Sequence, residues 1–398
     1  MALNWVVDPF DAFRVLHIAG VNAIKPDIKN YSRLSKAVQI QWRQPKSIAI
    51  GSSRSVYGYD MQHPGWTQPA YNYALSGSHM HDVLRFFQHA VHEAPIQRVV
   101  LGLDFFMFNV YNETPLAEAA ILSVNEEGAL QPWYRIQQSL TLLTSVDTFS
   151  ATLNTLKKQD ETDRQYAEDG RYLPRTDKKV QSKPMYKQFL STEKSYTLGV
   201  WTPCANGAFS FQRPHDRKNT LAYLKQIIDL AQNKNIQLYL VISPSHARLW
   251  EVLDHLGLWS KFEAWKQALV KITEPYNAET VQLWDFSGYH TYAVEAVPTT
   301  LGIPMMWYDD PSHYSVRLGR LLLDRIFNLK QHPFGLQLNP HNITAHLANI
   351  RNDRARYRRR LGTEAIKILQ DTTLKQAQWR QSMGSVCATN TLANMKNE

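Results

Sequence analysis

Short apolar runs that alternate with helical periodicity are the feature of this 398-residue chain that most restricts its fold. Turn residues bound each run, so we predict four buried strands. They cover residues 47–50, 98–103, 237–243 and 280–286. Helices are predicted at residues 32–42, 80–92, 139–156, 220–233, 249–273 (one helix or a pair) and 315–327. Such alternation favours a mainly parallel sheet covered on both faces, which is an α/β fold.

Three parts follow one another along the chain. Residues 1–44 form an entry segment, in which Leu3–Val7 is either a first strand or the stump of a membrane anchor. Residues 45–330 hold the α/β domain and include an insertion at about residues 110–217. Within that insertion, residues 157–194 are charged and interrupted by glycine and proline, so we expect them at the surface.

The third part, residues 331–398, is a predicted helical tail whose last residues, from 382 onward, are polar and expected to fray. It carries a cluster of arginines within a chain of net charge +9. Packing on the body, contact with a membrane surface or partner, and nucleic-acid binding are the three interpretations, and no nucleic-acid motif supports the last. The clustered arginines are Arg351, Arg354, Arg356, Arg358, Arg359 and Arg360.

Composition excludes several classes of protein. With 44% hydrophobic and 20% charged residues, the chain is neither largely disordered nor fibrous. No run approaches ~18 apolar residues, so no membrane-spanning helix is predicted, and residues 1–10 do not form an intact signal peptide. Cys204 and Cys387 are too few and too far apart for a disulfide framework or a zinc site, although a single bridge between them stays open.

Two polar segments combine the groups needed for nucleophilic catalysis. Gly51, Ser52 and Ser53 follow the first predicted strand directly, and a serine on such a turn exposes its Oγ beside backbone N–H groups. Asp310 and His313 precede the last helix of the domain, at a spacing that lets the carboxylate hold Nδ1–H and leaves Nε2 as a base. A phosphate-binding turn and a helix cap are the simpler alternatives.

Other polar residues near predicted strand ends are secondary candidates. Gly77 can bring a backbone N–H close to a substrate, or it simply makes a turn. Asp104 ends the second strand and either reaches the same crevice or caps its loop. Arg54, Asn72 and His246 are candidate substrate-binding residues. The alternatives are local pairing for Arg54, a plain turn for the segment that begins at Asn72, and a buried or solvent-facing loop histidine for His246.

Asp285 either borders the pocket at the end of the fourth predicted strand or caps its loop. Aromatic side chains can line a sugar cleft, although most are expected in the core. These aromatics are Phe105, Phe106, Phe108, Trp307 and Tyr308.

The order of these blocks resembles the SGNH/GDSL hydrolase superfamily of serine esterases and acyltransferases. The resemblance covers about residues 45–329 and implies a flavodoxin-like three-layer sandwich. It implies that Ser53 is the nucleophile and that Asp310 and His313 complete the triad. It also implies that the N–H groups of Ser53 and Gly77 form an oxyanion hole, and that neither a metal nor a cofactor is needed.

Two positions depart from the family pattern. Ser52 stands where many members have Asp, and this Gly-Ser-Ser variant is similar to that of envelope-associated members, including polysaccharide O-acetyltransferase-type and D-alanyl transfer proteins. Asp104 stands where the family has an oxyanion-hole Asn, and an ionised carboxylate cannot donate a hydrogen bond. Either Asp104 is protonated, or Asn72 or Asn109 replaces it, or the hole is incomplete.

The resemblance implies acyl transfer, with acetyl favoured, to or from a cell-envelope glycan. The expected partners are the glycan or another ester substrate, and a membrane-bound O-acyltransferase; nucleic acid is not expected. The expected location is the cell envelope or periplasm, with the cytoplasm as the less favoured alternative. A catalytically impaired binding or scaffold protein on the same fold is the second functional hypothesis.

Overall fold

A computed structural model gives the fold of most of the chain. It describes residues 1–114, 116, 119–159, 166–173, 183–201, 209–213 and 219–382. Cys204, Cys387 and the tail after residue 382 lie outside these ranges, so the predictions for them stay untested.

Six strands in the described part of the chain form one sheet. They are β1 Ser47–Ile50, β2 Ala70–Asn72, β3 Arg98–Leu103, β4 Gln237–Ile242, β5 Val281–Asp285 and β6 Leu336–Gln337. The order is β2-β1-β3-β4-β5-β6, and every pair is parallel except β5 with β6. The five parallel strands thus follow the flavodoxin-like order 2-1-3-4-5, which confirms the predicted α/β class.

Helices cover both faces of this sheet. They are α1 Ala2–Val7, α2 Ser32–Arg43, α3 Ser53–Gly58, α4 Met80–Glu93, α5 Tyr134–Thr144, α6 Val146–Lys157, α7 Met185–Ser195, α8 Thr220–Asn233, α9 Ala247–His255, α10 Trp259–Thr273, α11 Val316–Ile326, α12 Ile343–Leu361 and α13 Thr363–Ser382. Successive strand side chains point to opposite faces. Ile48, Val99 and Leu238 therefore pack with α4, α8 and α10, whereas Ala49, Val100 and Tyr239 pack with α11.

Several predicted elements differ from the observed ones. Leu3–Val7 belongs to helix α1, so the interpretation of this run as a strand was wrong. The single helix predicted over residues 139–156 is two helices, because Ser145 accepts a hydrogen bond from the N–H of Thr148 (3.1 Å) and starts α6. Within the stretch 157–194, residues 185–194 belong to helix α7, whose Phe189 is fully buried. Residues 160–165 and 174–182 of that stretch lie outside the described ranges, so the prediction for them stays untested.

The tail packs on the body through α12 and α13, which meet at Gly362. Three arginines of α12 contact carboxylates of the domain: Arg351 with Glu263 (2.7 Å), Arg354 with Asp254 (3.0 Å) and Arg358 with Glu251 (2.7 Å). Much of the predicted basic cluster is therefore neutralised within the molecule. Of the helices in the described ranges, none is long and apolar enough to cross a membrane.

Candidate active site

The turn after β1 presents Ser53. Gly51 adopts a φ of +139°, and a Cβ there would lie 2.5 Å from Ser55 Oγ and 2.8 Å from the Gly102 carbonyl oxygen, so only glycine fits. The Ser52 side chain caps α3 by accepting a hydrogen bond from the N–H of Arg54 (3.2 Å). Ser53 is then the first helical residue and is partly exposed.

Ser53, His313 and Asp310 form a continuous hydrogen-bonded chain. His313 Nε2 lies 2.9 Å from Ser53 Oγ, and His313 Nδ1 lies 2.6 Å from Asp310 Oδ2. Asp310 Oδ1 accepts from the backbone N–H groups of Ser312 (2.7 Å) and His313 (3.0 Å). With the proton on Nδ1, Nε2 is left to accept the proton of the serine hydroxyl. The predicted nucleophile, base and orienting carboxylate therefore lie together.

The surroundings of Asp310 favour its ionised form. Burial raises its pKa, but the neighbouring His313 and the hydrogen bonds from His313 and Ser312 lower it more, so the pKa of Asp310 lies below its usual range. The Tyr57 ring packs on the imidazole, with ring centroids 4.9 Å apart. The His313 side chain is nevertheless 22% exposed, which leaves it open to a bound substrate.

Gly77 lies in a loop tied to the serine turn. The carbonyl oxygen of Gly51 accepts from the N–H of Leu75 (2.9 Å) and from Ser78 Oγ (2.9 Å). Gly77 has a φ of +69°, is exposed, and has open space where a Cβ would stand. The N–H of Ser53, at the start of α3, has no acceptor within the helix. Both predicted oxyanion donors thus border the same region of the molecule.

Asp104 is not in the donor role that its family position implies. It is buried, its Oδ2 accepts a short hydrogen bond from Ser52 Oγ, and its Oδ1 pairs with Arg54 at 3.1 Å. Both oxygens therefore act as acceptors. The structure corrects the assignment of Asp104 to the oxyanion hole, because a carboxylate held between a hydroxyl and a guanidinium donates nothing to a substrate.

Arg54 also departs from its predicted role as a substrate-binding residue. It is 2% exposed, and its guanidinium contacts Asp104, Ser312 Oγ (3.0 Å) and the Tyr196 hydroxyl (3.3 Å). Burial lowers the pKa of Arg54, but Tyr196 and Asp104 raise it more, so this pKa lies above its usual value. Arg54 holds the serine turn against the segment that carries Asp310 and His313.

The amide side chains proposed to replace the missing oxyanion donor bond elsewhere. Asn72 donates to the carbonyl oxygen of Ser55 (2.9 Å) and accepts from the N–H of Ala74. Asn109 donates to the carbonyl oxygen of Trp201 (3.3 Å). Neither amide is therefore available to an oxyanion in this geometry, and Asn72 is a structural rather than a substrate-binding residue.

His246 is structural as well, contrary to its place among the candidate substrate ligands. It is 2% exposed, its Nε2 lies 2.8 Å from the Glu295 carbonyl oxygen, and its Nδ1 accepts from the N–H of Arg248 (3.2 Å). Burial lowers the pKa of His246 to about 3, so the ring is neutral near pH 7. This histidine caps α9.

The insertion supplies residues that the sequence did not point to. Tyr196 lies in a π-helical turn, Tyr196–Val200, and its hydroxyl is 2.5 Å from Ser312 Oγ. Ser312 in turn lies between Asp310 and His313 and accepts from Arg54. A π-helical turn is a frequent mark of functional sites, but the sequence has no pattern that predicts one.

The remaining candidates belong to the core or to other contacts. Asp285 is buried and pairs with Lys266 (2.8 Å) and His346 (2.8 Å) rather than bordering the triad. Trp307 is half-buried against Tyr292, with ring centroids 4.7 Å apart. The other four aromatics predicted as core or cleft residues are all buried: Phe105, Phe106, Phe108 and Tyr308.

Comparison with known proteins adds little. No family model and no curated protein matches this chain. Among solved structures, it matches a Streptococcus pneumonia chain that is provisionally described as a platelet activating factor. That match has a TM-score of 0.34 and 12% identity, and covers 77% of this chain and 98% of the other. A match at this level of similarity shows neither the fold nor the function of this chain.

Proposed function

We propose that the protein is a serine-dependent acyl-ester hydrolase or O-acyltransferase with Ser53 as its nucleophile. The observation that carries the proposal is the unbroken chain from Ser53 Oγ through His313 (2.9 Å) to Asp310 (2.6 Å). Nucleophile, base and orienting group within hydrogen-bond reach are the signature of activated serine catalysis.

The reaction runs in two halves. His313 Nε2 takes the proton of Ser53 as Oγ attacks the ester carbonyl, and Asp310 stabilises the resulting imidazolium. The N–H groups of Ser53 and Gly77 stabilise the oxyanion. The C–O bond of the ester then breaks, the leaving alcohol takes the proton from His313, and an acyl-serine remains. In the second half, His313 takes a proton from water or a sugar hydroxyl as its oxygen attacks the acyl carbonyl. The bond between the acyl carbon and Ser53 Oγ then breaks, Oγ takes the proton from His313, and the carboxylic acid or the acylated sugar leaves.

The oxyanion hole is weaker than that of the family pattern. Asp104 accepts two hydrogen bonds and gives none, so the proposal relies on two backbone donors. Removal of one oxyanion donor typically costs ~10²–10³ in rate. We therefore expect slow turnover of a simple acetyl ester, with faster reaction only for a substrate that uses further binding contacts.

The finer assignment is acyl transfer, with acetyl favoured, on a cell-envelope glycan beside a membrane-bound O-acyltransferase. Its support is the resemblance of Gly51-Ser52-Ser53 to envelope-associated members of the SGNH/GDSL superfamily. A cell-envelope or periplasmic location belongs to the same proposal.

Two measurements test the enzyme proposal. Wild-type protein should react with a fluorophosphonate probe and turn over p-nitrophenyl acetate, whereas Ser53→Ala should do neither. The control is Ser191→Ala, which removes an exposed hydroxyl on α7 and should react like the wild type. Equal turnover in wild type and Ser53→Ala would refute the mechanism.

A binding or scaffold protein is the second candidate, favoured by one observation. Asp104 forms an ion pair with Arg54 at the position where the family pattern has a donating Asn. The chain can therefore keep the fold without efficient catalysis. This alternative predicts that wild-type protein resists the fluorophosphonate probe and that Ser53→Ala binds acetylated glycan as tightly as the wild type.

A further inference from the structure

Three neighbouring helices of the entry segment and the insertion present large apolar side chains to solvent. We call this surface the apolar face. Trp133 is 68% exposed and Val146 is 82% exposed, which are large values for such residues. Soluble proteins rarely expose contiguous apolar patches of this kind unless the patch binds something. The apolar face consists of Met1, Leu3, Trp5 and Val6 of α1 and its start, Leu130, Trp133, Ile136 and Leu140 of α5 and its approach, and Val146, Phe149 and Leu153 of α6.

The outward orientation is built into the helices. Positions 133, 136 and 140, at the N-cap of α5 and along it, follow helical spacing, and positions 146, 149 and 153 of α6 do the same. The opposite sides of these helices are already packed, because Leu142 and Ala151 join Phe10 and Val38 in a separate small core. Each of these two helices therefore has one buried apolar side and one exposed apolar side.

Helix α1 is fixed against the other two. Asn4 is buried and its side-chain amide donates to the carbonyl oxygen of Leu143 (3.0 Å), at the end of α5. Val7 is buried as well, whereas Leu3, Trp5 and Val6 stay exposed. The three helices thus form one layer.

Basic side chains border the apolar face. Arg135 on α5 is 70% exposed, although its guanidinium also contacts Glu93 (3.3 Å) and the Tyr134 hydroxyl (2.8 Å). Lys157 at the end of α6 is exposed, and so is Lys29, which lies in a 3-10 turn that contacts α6. Asp147 is the single acidic residue on the three helices. Lysine is depleted at protein–protein interfaces, whereas Lys and Arg beside Trp, Phe and Leu are typical of helices that lie on anionic lipid. The whole chain has a net charge of +9, which also favours an anionic surface.

We propose that the apolar face docks the protein on the surface of an anionic lipid bilayer. Trp5, Trp133 and Phe149 insert at the boundary between headgroups and acyl chains, and the basic border contacts lipid phosphates. Tryptophan suits this position because one part of its ring system is apolar and its N–H stays near water. The attachment is peripheral and does not depend on the proposed chemistry at Ser53.

Vesicle flotation tests the proposal directly. The 398-residue protein is mixed with vesicles of phosphatidylcholine alone or with 30% phosphatidylglycerol, and the bound fraction is measured at low and high salt. We expect binding to the phosphatidylglycerol vesicles that weakens at high salt and on phosphatidylcholine alone. Absence of binding to both vesicle types at low salt would overturn the proposal.

The test variant is the triple substitution Trp133→Gln, Leu140→Gln and Phe149→Gln, which changes exposed side chains only. It should reduce the partition coefficient at least about tenfold, since each lost side chain removes apolar area that the bilayer would cover. Lys157→Gln should reduce it by about fivefold, since one basic residue near an anionic surface contributes ~1 kcal/mol. The control is Leu301→Gln, because Leu301 is 55% exposed outside the apolar face.

Two results would refute this assignment. One is equal vesicle binding by the triple variant and the wild type. The other is a dimer in lipid-free solution that the triple variant abolishes while vesicle binding is unchanged, since the face would then be covered by a second copy of the chain. Sedimentation velocity over a range of concentrations provides that measurement, and far-UV circular dichroism checks that each variant is folded.

Discussion

Two of the Asp–His pairs in the described part of the molecule look alike locally and differ in their surroundings. In one, Asp310 lies 2.6 Å from His313, and in the other, Asp285 lies 2.8 Å from His346. Asp310 and His313 are 13% and 22% exposed, and the free nitrogen of the imidazole faces Ser53 Oγ. Asp285 is completely buried, and its second partner is the buried ammonium group of Lys266.

This difference shows that an Asp–His hydrogen bond alone does not identify a catalytic site. The Asp285 pair ties α12 and α10 to the end of β5. The nearby Ser287 Oγ accepts from Lys266 (2.6 Å), and no hydroxyl among the described residues is hydrogen-bonded to the His346 imidazole. The Asp310 pair has the two features that chemistry needs: a hydroxyl in line with the base, and access for a substrate. We therefore expect opposite consequences when each carboxylate is removed.

The largest expected effect is on turnover in Asp310→Asn. The amide can hold the wrong tautomer of His313 and cannot stabilise its cation, so kcat on p-nitrophenyl acetate should fall by ~10⁴. The free energy of unfolding, measured by urea titration, should change far less than it does in Asp285→Asn. A kcat within threefold of wild type would remove the distinction between the two pairs.

The next effect is on stability in Asp285→Asn. Loss of this carboxylate leaves Lys266 buried without a counterion, so the free energy of unfolding should fall by about 3–5 kcal/mol. Turnover per folded molecule should stay at the wild-type value, because Asp285 does not contact the triad. A double variant with Lys266→Met should regain stability, since the uncompensated charge is then absent; failure to regain any would show that the ion pair is not the cause.

A smaller effect is expected from Arg54→Lys, which tests whether the Asp310–His313 pair depends on its neighbours. A lysine cannot contact Asp104, Ser312 and Tyr196 together in the geometry of a guanidinium. The Ser53 turn and the His313 segment should then shift slightly, and a displacement of ~1 Å can cost ~10²-fold in kcat. We expect a 10–100-fold loss in kcat with little change in KM. A loss confined to KM would instead indicate direct substrate binding by Arg54.

The fold was predictable where one local pattern determines it. Arg98–Leu103 is buried on both faces of a parallel sheet, so it forms a continuous apolar run that the sequence displays. Ala70–Asn72 has only three residues and no such run, and β2 was therefore missed. A break inside a helix, as at Ser145, depends on a cap that looks like any other serine in an amphipathic stretch.

The residues of the candidate site were likewise predictable only where a local pattern marks them. Ser53, Asp310 and His313 were identifiable because each lies in a short motif at a strand end or helix start. The contacts of Arg54 were not, because it meets Ser312 and Tyr196 only after residues far apart in sequence are folded together. A histidine after a strand is typical of a functional site, but His246 is buried and caps the start of α9. No local sequence pattern predicts this burial.

Acid titration gives the smallest and most specific test of the comparison. The pKa of Asp285 lies well below its usual range: burial raises it, but Lys266 and His346 lower it more. The pKa of Asp310 is also lowered.

A carboxyl with a depressed pKa in the folded state stabilises the protein above its unfolded-state pKa, about 3.9, and this contribution is lost as the pH falls through the folded-state pKa. Wild-type stability should therefore decline below about pH 4. The decline should be shallower in Asp285→Asn than in Asp310→Asn, because Asp285 pairs with the ammonium group of Lys266 as well as with an imidazole, whereas Asp310 pairs with an imidazole alone. Identical acid profiles for the two variants, measured by urea unfolding between pH 2 and 5, would contradict this ranking.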